Sequence, residues 1–121
     1  MIDSLHHVQL AAPAGSEDRL RWFYGQLLDL TEVEKPPGLA ARGGVWFRSG
    51  SVELHLGIED GFRPARKAHP GLLVSDLEGL TARLAGFGVA VEWDDTFPGY
   101  RRCYLNDPSG NRLELLEPFR T

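Results

Sequence analysis

Polar and apolar positions in this chain follow two periods, and the same succession of periods occurs twice. Ser16 stands as an N-cap, with Glu17 and Asp18 at the positive end of the helix dipole, and Leu20, Phe23, Tyr24, Leu27 and Leu28 then recur at i, i+3, i+4, i+7 and i+8. This stripe predicts one amphipathic helix. Ser75 and Glu78 have capping-box spacing, Leu77, Leu80, Thr81 and Leu84 form a second stripe, and Gly86 and Gly88 supply its stop. Before each helix lies a short alternating stretch opened by a histidine, His7-Val8-Gln9-Leu10 in one case and His69-Pro70-Gly71-Leu72-Leu73-Val74 in the other. Each half ends on a strand with a glutamate between apolar residues, Val52-Glu53-Leu54 and Leu113-Glu114-Leu115. Further strands are expected over 30–34 and 45–48, and over 89–93 and 101–105.

His7 and His69 lie 62 residues apart, and Glu53 and Glu114 lie 61 apart. The spacing marks an internal repeat with matched register. Each half reads β-α-β-β-β, which makes the fold α+β with two βαβββ modules. Module 1 covers about 1–58 and module 2 about 68–121, joined by a linker over about 59–67 that carries Gly61, Pro64 and mixed charge. Gly43-Gly44, Ser49-Gly50 and the run Asn106-Asp107-Pro108-Ser109-Gly110-Asn111 have turn chemistry, the last closing a hairpin.

Side chains of equal parity share one face of a strand. Val8 and Leu10, Val52, Leu54 and Leu56, Leu72 and Val74, and Leu113 and Leu115 form the apolar parity. The opposite parity collects His7, Gln9, Glu53, His55, His69, Arg112 and Glu114. Polar residues facing water on a half-buried sheet are ordinary. Here, three of the four histidines and both closing glutamates occupy equivalent places in the two repeats, and imidazoles mixed with carboxylates suit a divalent metal. His6 has the parity of Val8 and is expected to cap or to be partly buried. Trp22, Trp46, Trp93, Phe47, Phe97 and Tyr100 are expected mostly in the core, with one or two walling a pocket.

Composition narrows the function. With 121 residues, 42% hydrophobic and 25% charged, the chain has the makeup of one globular domain or of two small halves. A net charge of -4 opposes the basic footprint of a nucleic-acid binder. No apolar run approaches the roughly 20 residues that cross a bilayer, and the first residues lack the pattern of a signal peptide, so no membrane contact and a cytoplasmic location are expected. Cys103 is the single cysteine, which excludes a cysteine metal cluster and leaves His, Asp and Glu as donors. A semi-buried strand position for Cys103 is favoured over a nucleophile. Gly43-Gly44 lacks the spacing and lysine of a phosphate loop. Arg101-Arg102 could meet an anionic substrate or simply face solvent.

Together, His7-Val8-Gln9-Leu10, the stretch from Phe23 to Leu30, Val52-Glu53-Leu54, His69 to Val74 and the run from Asp107 to Leu115 resemble the vicinal-oxygen-chelate superfamily, which includes glyoxalase I, extradiol dioxygenases, fosfomycin-resistance thiol transferases and bleomycin-resistance proteins. The Asp-Pro turn followed by Asn-x-x-Glu is its most specific part. Asp29 stands where the family usually has Gly. The resemblance covers nearly the whole chain. It implies a curved, cleft-like mixed sheet around one metal, with His7, His69 and Glu114 similar to the metal ligands and Glu53 placed where glyoxalase I has its additional carboxylate. His55 is an alternative ligand or a base acting from behind the ligands.

A divalent ion held by two His and two Glu is formally neutral and, if octahedral, keeps two adjacent positions for neighbouring substrate oxygens. The leading expectation is therefore a metal-dependent glyoxalase-like lyase or isomerase using Ni, Co, Mn, Fe or Zn, with Glu53 and Glu114 as catalytic carboxylates and a small molecule as substrate. An Fe(II) extradiol-type dioxygenase or a thiol transferase on the same scaffold is the first alternative. A metal-free drug-sequestering protein is the second. A homodimer is expected, because small members of the superfamily pair modules between chains.

Overall fold

The period-two stretches pair into two four-stranded mixed sheets, one in each half, and the α+β class with two modules is the observed architecture. The structure is a computed structural model that describes residues 1–120. It divides into two units, Met1–Pro64 and a second beginning at Ala65.

In the first unit the strands are β1 (Val8–Ala12), β2 (Thr31–Val33), β3 (Val45–Ser49) and β4 (Val52–Ile58), ordered β1-β4-β3-β2. β1 runs parallel to β4, with Val8 beside Leu54 and Gln9 beside His55, while β2, β3 and β4 meander antiparallel. Parallel pairing of β1 with β4 needs a long crossover, and the first helix lies in it. That helix begins as α1 (Glu17–Leu20) and continues as a π-helical turn over Arg21–Leu27, where Leu28 N–H donates to Phe23 O at 3.0 Å. Leu20, Phe23, Tyr24 and Leu27 are all buried, as the stripe predicts, as are Val45, Phe47, Leu54 and Leu56 of the sheet, and the Tyr24 ring meets Phe47 at 5.6 Å between centroids. Each such side chain contributes roughly 1.5–3 kcal/mol on leaving water. A one-turn helix, α2 (Pro37–Ala40), was not expected from the pattern.

Ser16 does not cap through its side chain as the pattern suggests; its hydroxyl donates to Pro13 O at 2.6 Å. Glu17 instead reaches across to accept from Gly44 N–H at 3.0 Å, which holds its carboxyl below the usual range. Gly44 has φ +86, and a Cβ there would meet Leu56 O at 2.1 Å, so this turn admits only glycine.

The second unit repeats the plan with β5 (Gly71–Leu73), α3 (Leu77–Gly86), β6 (Glu92–Asp94), β7 (Tyr100–Asn106) and β8 (Arg112–Pro118), ordered β5-β8-β7-β6 with β5 parallel to β8. Asp76, rather than Ser75, caps α3 by accepting from Gly79 N–H at 2.9 Å. Leu77 and Leu84 of α3 are buried, as are Cys103, Leu105, Leu113 and Leu115 of the sheet. Burial pushes the Cys103 thiol up to about 11, in keeping with an inert strand cysteine. Strand 89–93 of the pattern shortens and shifts by a residue to Glu92–Asp94, and strand 101–105 lengthens by a residue at each end. The Asp-Pro turn is a hydrogen-bonded knot. Asp107 Oδ1 accepts from Ser109 and Asn111 N–H, both at 2.9 Å, while Asn111 Oδ1 accepts from Ala65 N–H at 3.0 Å. This knot fixes the start of β8 and hence the place of Glu114.

Asp29 adopts φ 60, the left-handed conformation in which a helix commonly ends and which glycine takes up most easily. An L-residue with a Cβ is strained there. Asp29→Gly should raise stability by about 0.5–1 kcal/mol, read as a higher urea midpoint with an unchanged slope. A lowered midpoint would contradict this account.

Candidate metal centre

β1 and β4 bring His7, Glu53 and His55 to one face of the first sheet. Donor atoms of His6, His7 and Glu53 all lie within 4.8 Å of one another. His6, expected to cap or to be partly buried, is instead exposed, with its Nδ1 at 2.9 Å from His7 Nδ1 and 3.7 Å from Glu53 Oε2. Glu53 is gripped from the other side by Arg48, which faces it from the adjacent strand β3 and donates to its Oε1 through Nη2 at 2.8 Å. That guanidinium holds the Glu53 carboxyl below the usual range. One oxygen is thus tied to arginine while the other, Oε2, points toward the histidines.

His55 is enclosed in a three-ring stack. His7 lies parallel on one side at 4.1 Å between centroids, and Trp46 on the other at 3.7 Å. His55 Nε2 lies 3.5 Å from Glu53 Oε2 yet makes no hydrogen bond, and among the described residues it is the orphaned buried polar side-chain atom. Burial lowers the His55 pKa, and the neighbouring His7 adds to the effect, so the imidazole stays neutral. Of the aromatic residues expected in the core, Phe47 is there and Trp46 is half-buried in this stack. Trp22, Trp93 and Phe97 are exposed instead.

The second unit brings His69 and Glu114 together. His69 Nδ1 donates to Lys67 O at 2.8 Å, and Nε2 faces Glu114 Oε1 at 2.8 Å. Anchoring one imidazole nitrogen to a backbone carbonyl is the usual support of a metal-ligating histidine, since it aims the other nitrogen at the ion. Glu114 is buried, and Arg102 Nη1 donates to its other oxygen at 3.0 Å. Arg102 is itself shared with Asp94 at 3.1 Å and lies over the Phe97 and Tyr104 rings. The same device therefore occurs twice: a carboxylate with one oxygen clamped by arginine and the other turned to histidine.

Matched spacing did not give matched register. In the first sheet Gln9, two residues after His7, pairs with His55, whereas in the second Gly71, two residues after His69, pairs with Glu114. Counted from its opening histidine, the place of Glu114 is thus taken in the first unit by His55, and Glu53 lies two residues earlier. The arginine clamps were also missed by the sequence pattern, although Arg48 and Arg102 share parity with Trp46 and Tyr104 on their strands.

The model of the Glyoxalase/Bleomycin resistance protein/Dioxygenase superfamily matches residues 4–115. The chain belongs to this superfamily. A solved glyoxalase family protein from Bacillus anthracis is 40% identical, covers 98% of each chain and superposes with a TM-score of 0.96. A genomically encoded fosfomycin resistance protein from Listeria monocytogenes, in complex with Mn(II) and a dihydroxypropylphosphonic acid, shares the fold at 17% identity and TM-score 0.79, over 98% of this chain and 95% of its own. A lactoylglutathione lyase from Agrobacterium tumefaciens shares it at 23% identity and TM-score 0.72, over 96% and 94%. Among curated proteins none matches. Among the described residues, no helix is long and apolar enough to cross a membrane.

In this glyoxalase-superfamily chain the neutral His55 gives the fold a pH signature. Its folded pKa lies below the ordinary histidine value of 6.5, so the unfolded chain takes up the proton first as pH falls. Stability should drop as pH descends through 6.5 toward the folded value, and His55→Gln should flatten that slope in chelator-treated protein. Urea titrations at pH 7.5 and 5.5 measure it, and an equal slope in the variant would refute the assignment.

Proposed function

We propose that the protein is a metal-dependent glyoxalase-type enzyme, a lyase or isomerase acting on a small molecule with neighbouring oxygens. His7, His69 and Glu114 serve as ligands, Glu53 is the fourth, and Glu53 and Glu114 are the catalytic carboxylates. The observation that carries this reading is the repeated clamp, in which arginine donates to one oxygen of each carboxylate while the second oxygen is directed at a histidine. The donor chemistry fits a divalent transition metal: neutral imidazole, ionised carboxylate, a histidine anchored through its far nitrogen, and an orphaned buried imidazole nitrogen beside Glu53. Bound to these residues, Ni, Co, Mn, Fe or Zn would polarise the substrate oxygens as a Lewis acid.

The chain's own groups supply the proton handling. Glu53 Oε2, free of the Arg48 clamp, can take a proton from carbon or oxygen. His55 Nε2, neutral and 3.5 Å away, can receive it in turn. Trp46 and His7 hold that ring in place from both faces.

The register favours a second assignment for the fourth ligand, His55 in place of Glu53. Chelator-treated protein should regain about one divalent ion per site by calorimetric titration, and absence of any specific binding by folded protein would favour sequestration of a ligand without metal. Glu114→Gln should weaken metal affinity by about 10- to 100-fold or more. If Glu53 is the fourth ligand, Glu53→Gln should weaken metal binding as well and cut isomerase-type turnover by roughly 10²-fold. If His55 is, His55→Gln carries the metal loss and Glu53→Gln only the loss of turnover. Oxygen-dependent ring cleavage or thiol transfer to an epoxide would overturn the isomerase reading in favour of the dioxygenase or transferase.

Pairing of two chains is part of the proposal, as is a cytoplasmic setting. Sedimentation at micromolar concentration should report twice 13.4 kDa, and a strict monomer would contradict it.

A further inference from the structure

On the second sheet lies a hollow of about 560 Å³ lined by Arg66, Glu92, Tyr104, Asn106 and Arg112 among others, Arg112 being two residues along β8 from Glu114. Its size falls within the roughly 300–1,000 Å³ of small-molecule sites. Arg112 precedes Glu114 by two residues on β8, so their side chains emerge on one face about 7 Å apart along the strand. The guanidinium of Arg112 lies 3.9 Å from the centre of the Tyr104 ring. Tyr104 pairs directly with Glu114 and meets the His69 ring edge-on at 5.5 Å. One tyrosine thus sits against both the arginine and the His69–Glu114 pair.

The two arginines on this face are in opposite electrostatic situations. Arg102 is neutralised by Asp94 and Glu114. Arg112 is half-buried and, among the described residues, has no carboxylate within ion-pair distance. Arg66, at the exposed side of the hollow, has none either. Glu92 lines the same hollow without pairing to them, which leaves a net positive lining. A guanidinium kept flat against an aromatic ring loses little freedom when its fork takes a planar or tetrahedral oxyanion, and partial burial strengthens the bond by excluding water.

We infer that this hollow is an oxyanion subsite, in which Arg112, with Arg66 at the rim, binds the carboxylate, phosphonate or phosphate end of a small substrate. The proposed function enters at one point, that the neighbouring oxygens of such a substrate are addressed to Glu114 and His69. The substrate class is then a small organic acid with its oxyanion close to the oxygens that react. Arg112 is a specificity-determining residue; it fixes which end of the substrate lies away from the metal ligands.

The test uses the full chain freed of metal by chelation and titrated with phenylphosphonate, with arginine side-chain Nε–H resonances as the readout. Saturable binding should shift the Arg112 resonance, Arg112→Gln should weaken affinity by about tenfold or more, and Arg112→Lys should restore part of it by returning the charge without the fork. Circular dichroism checks that each variant is folded. No saturable binding by the native chain, or equal affinity in Arg112→Gln, overturns the subsite. Mandelate, a 2-hydroxy acid, titrated with and without Mn(II) separates this inference from the metal reading. If Mn(II) adds nothing but Arg112→Gln still weakens mandelate, the subsite stands without the metal. If Mn(II) tightens mandelate equally in the native chain and in Arg112→Gln, the metal reading stands and the subsite falls.

Discussion

A carboxylate on a strand buried on both faces has to be compensated on the spot, and much of the polar architecture follows from that requirement. β8 packs Leu113 and Leu115 under α3, so Glu114 emerges on the opposite face, where His69, Arg102 and Tyr104 leave it almost no solvent. Leaving such a charge unpaired would cost several kcal/mol. His69 and Arg102 each take one of its oxygens, and Arg102 in turn draws in Asp94 and Thr96. The first unit meets a milder version of the same constraint with a different balance. Glu53 keeps more solvent and is steadied by Arg48, while the fully covered place on β4 goes to a neutral imidazole.

That division of labour explains which parts of the centre could be read from the sequence. Period-two alternation put His7, Glu53, His55, His69 and Glu114 on the polar parity because parity is a property of the single strand. The stripe from Leu20 to Leu27 was legible for the same reason, since it tracks burial. Its π-helical winding was not legible, because the i to i+5 bonds of Phe23 and Leu28 add no distinctive residue type. Caps slipped by one residue or changed partner, as at Asp76 and Glu17, where several polar residues competed for the same few N–H groups.

Register was the larger thing hidden. The nearly equal spacing of histidines and glutamates implied equal pairing, but how far one parallel strand slides past another is set by the crossover and by what packs beneath, not by either strand alone. The slide of two residues preserves parity, so every apolar side chain stays in its core while the polar row is re-dealt, placing His55 opposite Gln9 where the second unit has Glu114 opposite Gly71. A duplicated fold can thereby vary the donor that a position presents without repacking the interior. The arginine clamps belong to the same category, since they join neighbouring strands.

The outer strands β2 and β6 carry a different consequence. Each is three residues long and bears acid, Glu32 in one and Glu92 with Asp94 in the other. Another polypeptide attempting to extend either sheet would find few backbone groups to pair with and would bring its own main chain alongside carboxylates. Sheet growth therefore ends at four strands on these sides, which resists fibrous aggregation.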